Sequence, residues 1–381
     1  MTSDFGIYVH WPFCAAKCPY CDFNSHVRSR FDEGHWADAI VRELEWVRRA
    51  QGNAVPRVET VFFGGGTPSL MSGTSVGTVI DAIARSWPVA SDIEVTLEAN
   101  PASADAAHFR DYRTAGVNRV SLGVQALNEA DLKFLGRLHD VAEAKAALKM
   151  AMTNFDRVSL DLIYARPDQT AKAWRTELKE ALAFETEHLS LYQLTIEANT
   201  PFAVRAQEGT LQVPDEDSAA SLFELTQEMT EAAGRPGYEI SNHARPGREC
   251  RHNLIYWRYG DYAGVGPGAH GRLMLGDKRI ATSVERLPER WQDKVAREGH
   301  GYVEQIVIGD DEAAREHLLM NLRLSEGLDL EAYEKRWNVT IDRKKIAELA
   351  SDDLVRLDGT TLRATPRGRL VLNSVIAALA A

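Results

Sequence analysis

Apolar residues recur along the first half of the chain in two alternating periods. Short β-prone runs at 6–10, 60–63, 93–98, 119–122, 158–163 and 188–194 read as strands, and between them apolar residues fall three and four apart. Over 31–50, for example, Trp36, Ile40, Leu44 and Val47 share one helical face. Further helices are predicted over 76–85, 104–114, a stretch ending near 152, and 171–184. Six strands separated by helices make βα units, whose right-handed crossovers build a parallel sheet. A full barrel of this kind needs eight units, so this α/β pattern predicts a partial (β/α)6 barrel. In such folds the functional residues sit at the C-terminal ends of the strands.

The regularity stops near residue 199. The segment 199–304 carries a predicted helix over 218–233, followed by a Gly- and Pro-rich stretch, and is expected to complete one side of the barrel. That stretch holds Cys250-Arg251-His252-Asn253 and Gly264-Val265-Gly266-Pro267-Gly268-Ala269-His270. Over 305–381, helices are predicted at 312–322, 330–337 and 341–351, with a last one ending at 381. β-prone runs at 355–357 and 362–364 flank Asp358-Gly359, a hairpin signal, and the whole resembles a winged helix. Winged helices often bind DNA, but Asp342, Glu348, Asp352, Asp353 and Asp358 here offset Arg343, Lys344 and Lys345. A packing or partner-docking role is expected instead.

Charge and composition narrow the class. The 381 residues carry a formal net charge of −11, which argues against general affinity for nucleic acid. No apolar run approaches the length of a membrane span, and MTSDFGIYVH lacks the basic head and apolar stretch of a signal peptide. A cytoplasmic protein is expected. Three of the four cysteines fall within eight residues, a clustering that in a reducing compartment signals metal binding.

Those three are Cys14, Cys18 and Cys21, in the spacing C-x3-C-x2-C directly after the first strand. Three thiolates can hold a cubane iron–sulfur cluster and leave one iron without a protein ligand. A structural zinc site is the alternative, with His10 or His26 as the missing ligand and Cys250 in reserve. Gly64-Gly65-Gly66-Thr67-Pro68 ends the second strand, where glycines let backbone amides approach a ligand. Glu98 ends the third strand, Gln125 follows the fourth and Asp161 lies in the fifth, so polar groups converge on one mouth. Polar groups on otherwise apolar buried strands are costly unless paired, so it is their convergence that carries weight.

The cysteine spacing, with Tyr20 before the last cysteine, resembles the radical S-adenosylmethionine superfamily. That resemblance implies a [4Fe-4S] cluster on the three cysteines. It implies S-adenosylmethionine on the open iron, and cleavage of its sulfonium to a 5′-deoxyadenosyl radical. IYVHWPFC, KCPYCDFN, FGGGTPS, SLGVQ, DLIYARPDQT, LSLYQLTIE, HNLIYW and DYAGVGPGAHG together are similar to the oxygen-independent coproporphyrinogen III oxidases and their relatives. By matching position, Tyr8, Gly65, Glu98 and His270 are implied to contact the nucleotide. Gly66, Thr67, Gln125, Arg137 and Asp161 match positions that line a second nucleotide in the oxidase.

Two departures point to a different branch. The oxidase has a further cysteine two residues after the third, where this chain has Phe23, and a sizeable N-terminal extension, where only a few residues precede the first strand here. Both features resemble the haem chaperone branch, whose members bind haem and are implicated in handing it to haemoproteins. The expected function is therefore haem binding and transfer, with peripheral membrane association only through such partners. Oxidative decarboxylation of coproporphyrinogen III is the alternative, and DNA binding by the C-terminal region a weaker one. His252, within the HNLIYW run, is the expected haem contact, since histidine is a common axial ligand.

Overall fold

The structure, a computed structural model, describes residues 5–28, 31–53, 55–103 and 105–380. The starting residue of the helix expected over 104–114 and the final residue of the one expected to end at 381 lie outside the described residues. Six parallel strands run in chain order across one sheet: β1 Phe5–Trp11, β2 Val58–Gly65, β3 Val89–Ala99, β4 Arg119–Gln125, β5 Arg157–Tyr164 and β6 His188–Gln193. The crossover helices are Glu33–Ala50, Gly73–Ser86, Ala106–Ala115, Val141–Asn154 and Ala171–Leu182, with a short helix Glu129–Phe134 ahead of the fourth. Local chemistry starts each of these five: Asp32, Ser72, Asp105, Asp140 and Thr170 cap the first free amides with their side chains. On the first helix Trp36, Ile40, Leu44 and Val47 are all buried, the face its periodicity predicts.

The sheet extends at both edges beyond the six expected strands. Asp261–Val265 lies parallel to β1 on its far side, and His270–Leu275, Lys278–Val284 and Tyr302–Val307 continue from it antiparallel. Asn242–Ala244 pairs antiparallel with β6 at the other edge, which makes eleven strands in all among the described residues. Part of 199–304, irregular by its sequence pattern, thus joins the sheet. Its short strands are broken by turns at Gly266, Gly268 and Gly276, all with positive φ, and carry little periodicity.

Alternation along the six strands separates two faces. Ile7, Val9, Val61, Phe63, Val95, Leu97, Val120, Leu122, Leu160 and Leu189 all belong to the main apolar core. The opposite face carries Tyr8, Thr96 and Glu98, Arg119 and Ser121, Ser159 and Asp161, and Ser190. Register aligns these polar positions, with Thr96 opposite Arg119, Glu98 opposite Ser121, Ser121 opposite Ser159, and Asp161 opposite Ser190. The polar rows end in one cavity.

The C-terminal residues build a separate apolar core from Leu318, Leu330, Tyr333, Ile346, Val355, Leu362, Val375 and Leu379. Helices Asp310–Asn321, Leu330–Trp337, Arg343–Ser351 and Leu372–Ala380 surround a small sheet of Leu328–Asp329, Thr361–Ala364 and Val355–Asp358. The hairpin turns at Gly359, whose φ of 63° suits a residue without a side chain.

Candidate cofactor site

The cysteine loop lies over the C-terminal ends of β1 and β2. Phe13–Cys14 pairs with His26–Val27, closing the loop at its base, and the Cys21 amide donates to Cys18 O at 3.2 Å. Neighbouring elements seat the loop. Thr67 Oγ1 donates to Cys14 Sγ at 3.3 Å, and Arg137 donates to Cys18 Sγ at 3.5 Å and to Gly123 O at 2.8 Å. Tyr20 packs on Phe202, whose amide donates to Pro19 O at 3.0 Å. All three cysteines are half-buried and free, and they line one cavity of about 360 Å³.

Every strand from β1 to β6 contributes to that cavity, through Tyr8, Gly65, Glu98, Gln125, Asp161 and Tyr192 among others. Gly66, Thr67, Tyr20 and Arg137 line it too, so every residue expected to meet the cluster or a nucleotide except His270 is brought together there. His270 lines an adjoining cavity of about 760 Å³, which shares Tyr8, Cys21, Gly65 and Glu98 with the first.

Gly65 has φ +110°, and a Cβ there would stand 2.7 Å from the His10 ring. Its bare amide donates to Glu98 Oε2 at 3.2 Å. The pKa of Glu98 is raised to about 8 by burial and by the charge of Asp161, against the Gly65 hydrogen bond and Arg119. Asp161 is also raised by burial, and the hydroxyls of Ser121 and Ser159 donate to it at 2.8 and 2.7 Å. Gln125 closes β4 at φ 73°, a conformation that costs a non-glycine residue energy and that accompanies a bulge at Gly123. Its Oε1 is buried without a partner, as is Arg137 Nε. Unpaired buried polar atoms around a polar cavity fit a site shaped for a polar ligand.

The donor set fits a cluster better than zinc. A single zinc ion needs its ligands about 2.3 Å from one point, and among the described residues no three His, Cys, Asp or Glu side chains are so placed. A multi-iron cluster takes one thiolate per iron and needs no common point. The reserve ligands are also committed elsewhere. His10 bonds Tyr8 OH at 3.1 Å through Nδ1 and donates from Nε2 to Asn24 O at 2.9 Å. Cys250 is fully buried, 3.6 Å from Glu94, with its thiol pKa pushed up to about 12 by burial.

His252 is placed differently from a waiting haem ligand. It is buried, with Nδ1 2.6 Å from Thr60 Oγ1 and Nε2 2.6 Å from Tyr256 OH, and its ring stacks on Phe62. Neither nitrogen is free, so coordination would first break one of these bonds. Burial lowers its pKa to about 3.

Sequence reasoning missed the charges under the cavity floor. Arg119 is 2% exposed, and the Glu94 carboxylate is among the groups that hold its charge in place against burial. Glu94 in turn accepts from Arg157 at 2.6 Å and from the amides of Arg251 and His252 at 3.2 and 3.1 Å. A signal was available: Glu94, Thr96 and Glu98, then Arg119 and Ser121, alternate with core residues on strands that are otherwise apolar.

A model of the Radical SAM superfamily matches residues 8–181, and one of the HemN C-terminal domain matches residues 309–371. The chain is 39% identical over 384 residues to mouse "Radical S-adenosyl methionine domain-containing protein 1, mitochondrial", covering 98% of this chain and 86% of that protein. It is 43% identical over 282 residues to Escherichia coli "Heme chaperone HemW", covering 73% of each chain, and 36% identical to the Mycobacterium tuberculosis protein of that name over 98% of this chain and 94% of the other. The solved Escherichia coli coproporphyrinogen III oxidase HemN shares the fold, with a TM-score of 0.82 at 22% identity, over 99% of this chain and 90% of that one. Fold and matches together define a radical S-adenosylmethionine protein with a HemN-type C-terminal domain. Within that superfamily the chain belongs to the family of HemW and its animal relatives, a branch beside the oxygen-independent coproporphyrinogen III oxidases. Among the described residues no helix is long and apolar enough to cross a membrane.

Proposed function

We propose that Cys14, Cys18 and Cys21 hold a [4Fe-4S] cluster, that S-adenosylmethionine binds beside it, and that the protein binds haem for delivery to haemoproteins. The observation that carries the first part is the convergence of three free thiols with the polar ends of six strands on one cavity. When bound, the cluster and nucleotide supply reductive cleavage of a sulfonium to a carbon radical. The chain's own residues bind and orient. Thr67 donates to Cys14 Sγ and Arg137 to Cys18 Sγ, which orients both sulfurs, and the Thr67 bond works against the burial that raises the Cys14 pKa. Glu98 suits the amino group of the nucleotide, because a cation beside it offsets the burial that keeps it protonated. Asp161, held by Ser121 and Ser159, suits hydroxyl groups.

The haem part is supported by relatives that carry the name heme chaperone and cover most of this chain. Phe23 supports it against the oxidase reading: it is 58% exposed at the cavity mouth, where the oxidase has its additional cysteine. Delivery is tested by mixing haem-loaded protein with an apo-haemoprotein and following the recipient's Soret band. Incubation of the reduced, cluster-loaded protein with coproporphyrinogen III and S-adenosylmethionine should give no protoporphyrinogen IX. Turnover above background would favour the oxidase instead.

A further inference from the structure

The cofactor cavity follows one face of β4 from end to end, with Gln125 at the mouth, then Gly123 and Ser121, and finally Arg119 lining it. At roughly 3.3 Å per residue, the backbone from Gln125 to Arg119 covers about 20 Å. Glu98 lies opposite Ser121 and Asp161 opposite Gly123, both in the upper part. Arg119 lies below them, opposite Thr96 on one side and Arg157 on the other.

This floor is short of negative charge. Arg119 Nε is buried without a hydrogen-bond partner, and so is Thr96 Oγ1 on the strand beside it. Glu94, which offsets the Arg119 charge, is already engaged by Arg157 Nη1 at 2.6 Å and by the amides of Arg251 and His252. Glu187 pairs with Arg157 at 3.1 Å and with Arg248 at 3.4 Å. Arg119, Arg157 and Arg248 therefore share Glu94 and Glu187, one carboxylate too few. The carboxyls higher up do not make good the difference, because burial raises the pKa of both Glu98 and Asp161 and favours their neutral forms. Cys250 and Asn253, which also line the cavity, add only a thiol kept protonated by burial and an amide. A buried guanidinium with an open donor is costly unless an anion reaches it, and its planar fork matches a carboxylate.

We propose that the floor of the cofactor cavity is a carboxylate subsite, in which Arg119 holds the acid group of a ligand other than the nucleotide. The assignment rests on the cluster and nucleotide reading above and is independent of haem delivery. In that reading the nucleotide sits with the cluster at the mouth, which leaves the floor to the acid arm of a second molecule.

The test titrates cluster-loaded wild-type protein with acetate and with acetamide, its neutral analogue, following saturation transfer to the ligand methyl protons by nuclear magnetic resonance. Acetamide should bind at least about tenfold more weakly, the loss expected for one charge-assisted contact. Saturating the protein with S-adenosylmethionine should leave acetate binding in place. R119Q should weaken acetate binding by at least as much as the amide substitution does and leave acetamide binding unchanged. The comparison of acetate with acetamide needs no altered protein, so misfolding of the variant cannot produce that result. Acetate that fails to bind, binds no better than acetamide, is displaced by S-adenosylmethionine, or keeps its affinity in folded R119Q overturns the assignment. Wild-type protein that binds acetate through Arg119 but does not bind S-adenosylmethionine supports the subsite and overturns the nucleotide reading.

Discussion

The amide of Gly65 and the carboxyl of Glu98 meet at 3.2 Å, which ties the turn under the cysteine loop to a carboxyl whose pKa is raised to about 8. Burial dominates that shift, with Asp161 adding to it. The folded protein therefore holds a proton on Glu98 that the unfolded chain releases near 4.5. Stability falls as pH rises from there through about 8, because the folded state binds more protons across that window. Glu98→Gln should match wild type near pH 4 and be more stable at pH 8.5, by about 1–3 kcal/mol since the carboxyl is partly open to the cavity. Urea unfolding at the two pH values checks this. Equal stability differences at both would show that Glu98 titrates normally.

Ligand binding should move the same proton. If an ammonium group docks beside Glu98, the carboxyl ionises and releases up to about one proton at pH 7. Calorimetry of S-adenosylmethionine binding in buffers of different ionisation enthalpy measures that release. In Glu98→Gln the buffer dependence should vanish, and its persistence would place the proton elsewhere.

Gly65→Ala should cost about 1–3 kcal/mol of stability and weaken nucleotide binding more than tenfold. The new methyl meets the His10 ring at 2.7 Å, and His10 cannot yield freely because Tyr8 and Asn24 hold both its nitrogens. Gly52→Ala is the control: it also has positive φ, 62°, but open space around it. That change should cost about 1 kcal/mol and leave binding intact. Equal effects at the two sites would mean that backbone conformation, not the contact with His10, decides the outcome.

Cys14→Ala should abolish cluster assembly, seen as loss of iron and sulfide in the reconstituted protein, while Cys250→Ala should keep both. The contrast follows from placement. Cys14 is half-buried with Thr67 donating to its sulfur, whereas Cys250, across the same cavity, is fully buried and faces the Glu94 carboxyl at 3.6 Å. Cluster loss in the Cys250 variant at retained stability would overturn the ligand assignment.

The order of the six strands was legible in the chain because helix and strand periods alternate cleanly, and Trp36, Ile40, Leu44 and Val47 are buried as their spacing requires. The antiparallel extension at 270–307 was not: Lys278–Val284 and Tyr302–Val307 are short strands whose alternation lies under glycine turns and exposed residues such as Val303 and Ile306. Within the site, Cys14, Gly65 and Glu98 could be found because motif or strand end marks them. Arg119 was marked only by its alternation with core residues, and the chain does not show that Glu94, on the neighbouring strand, lies beside it. For His252 the chain shows an imidazole beside aromatics; it does not show that Thr60, 192 positions away, and Tyr256 take both nitrogens.

That last pairing carries its own prediction. His252 has a pKa of about 3 in the fold against 6.5 when free, because burial disfavours its charged form. The unfolded chain therefore binds the extra proton, and stability is lost as pH falls from about 6.5 towards 3. His252→Gln should reduce the acid slope by up to about 1.4 kcal/mol per pH unit within that window, the contribution of one titrating group. His252→Ala should cost about 2–4 kcal/mol at pH 7, since it leaves Thr60 Oγ1 buried without its partner and opens a cavity against Phe62. In the haem-bound protein either variant should leave the electron paramagnetic signature of the ferric iron unchanged, because the ring nitrogens are committed within the fold. Loss of an axial nitrogen signature in His252→Gln, with the variant still folded, would mean that haem binding breaks the Tyr256 contact and takes His252 as its ligand.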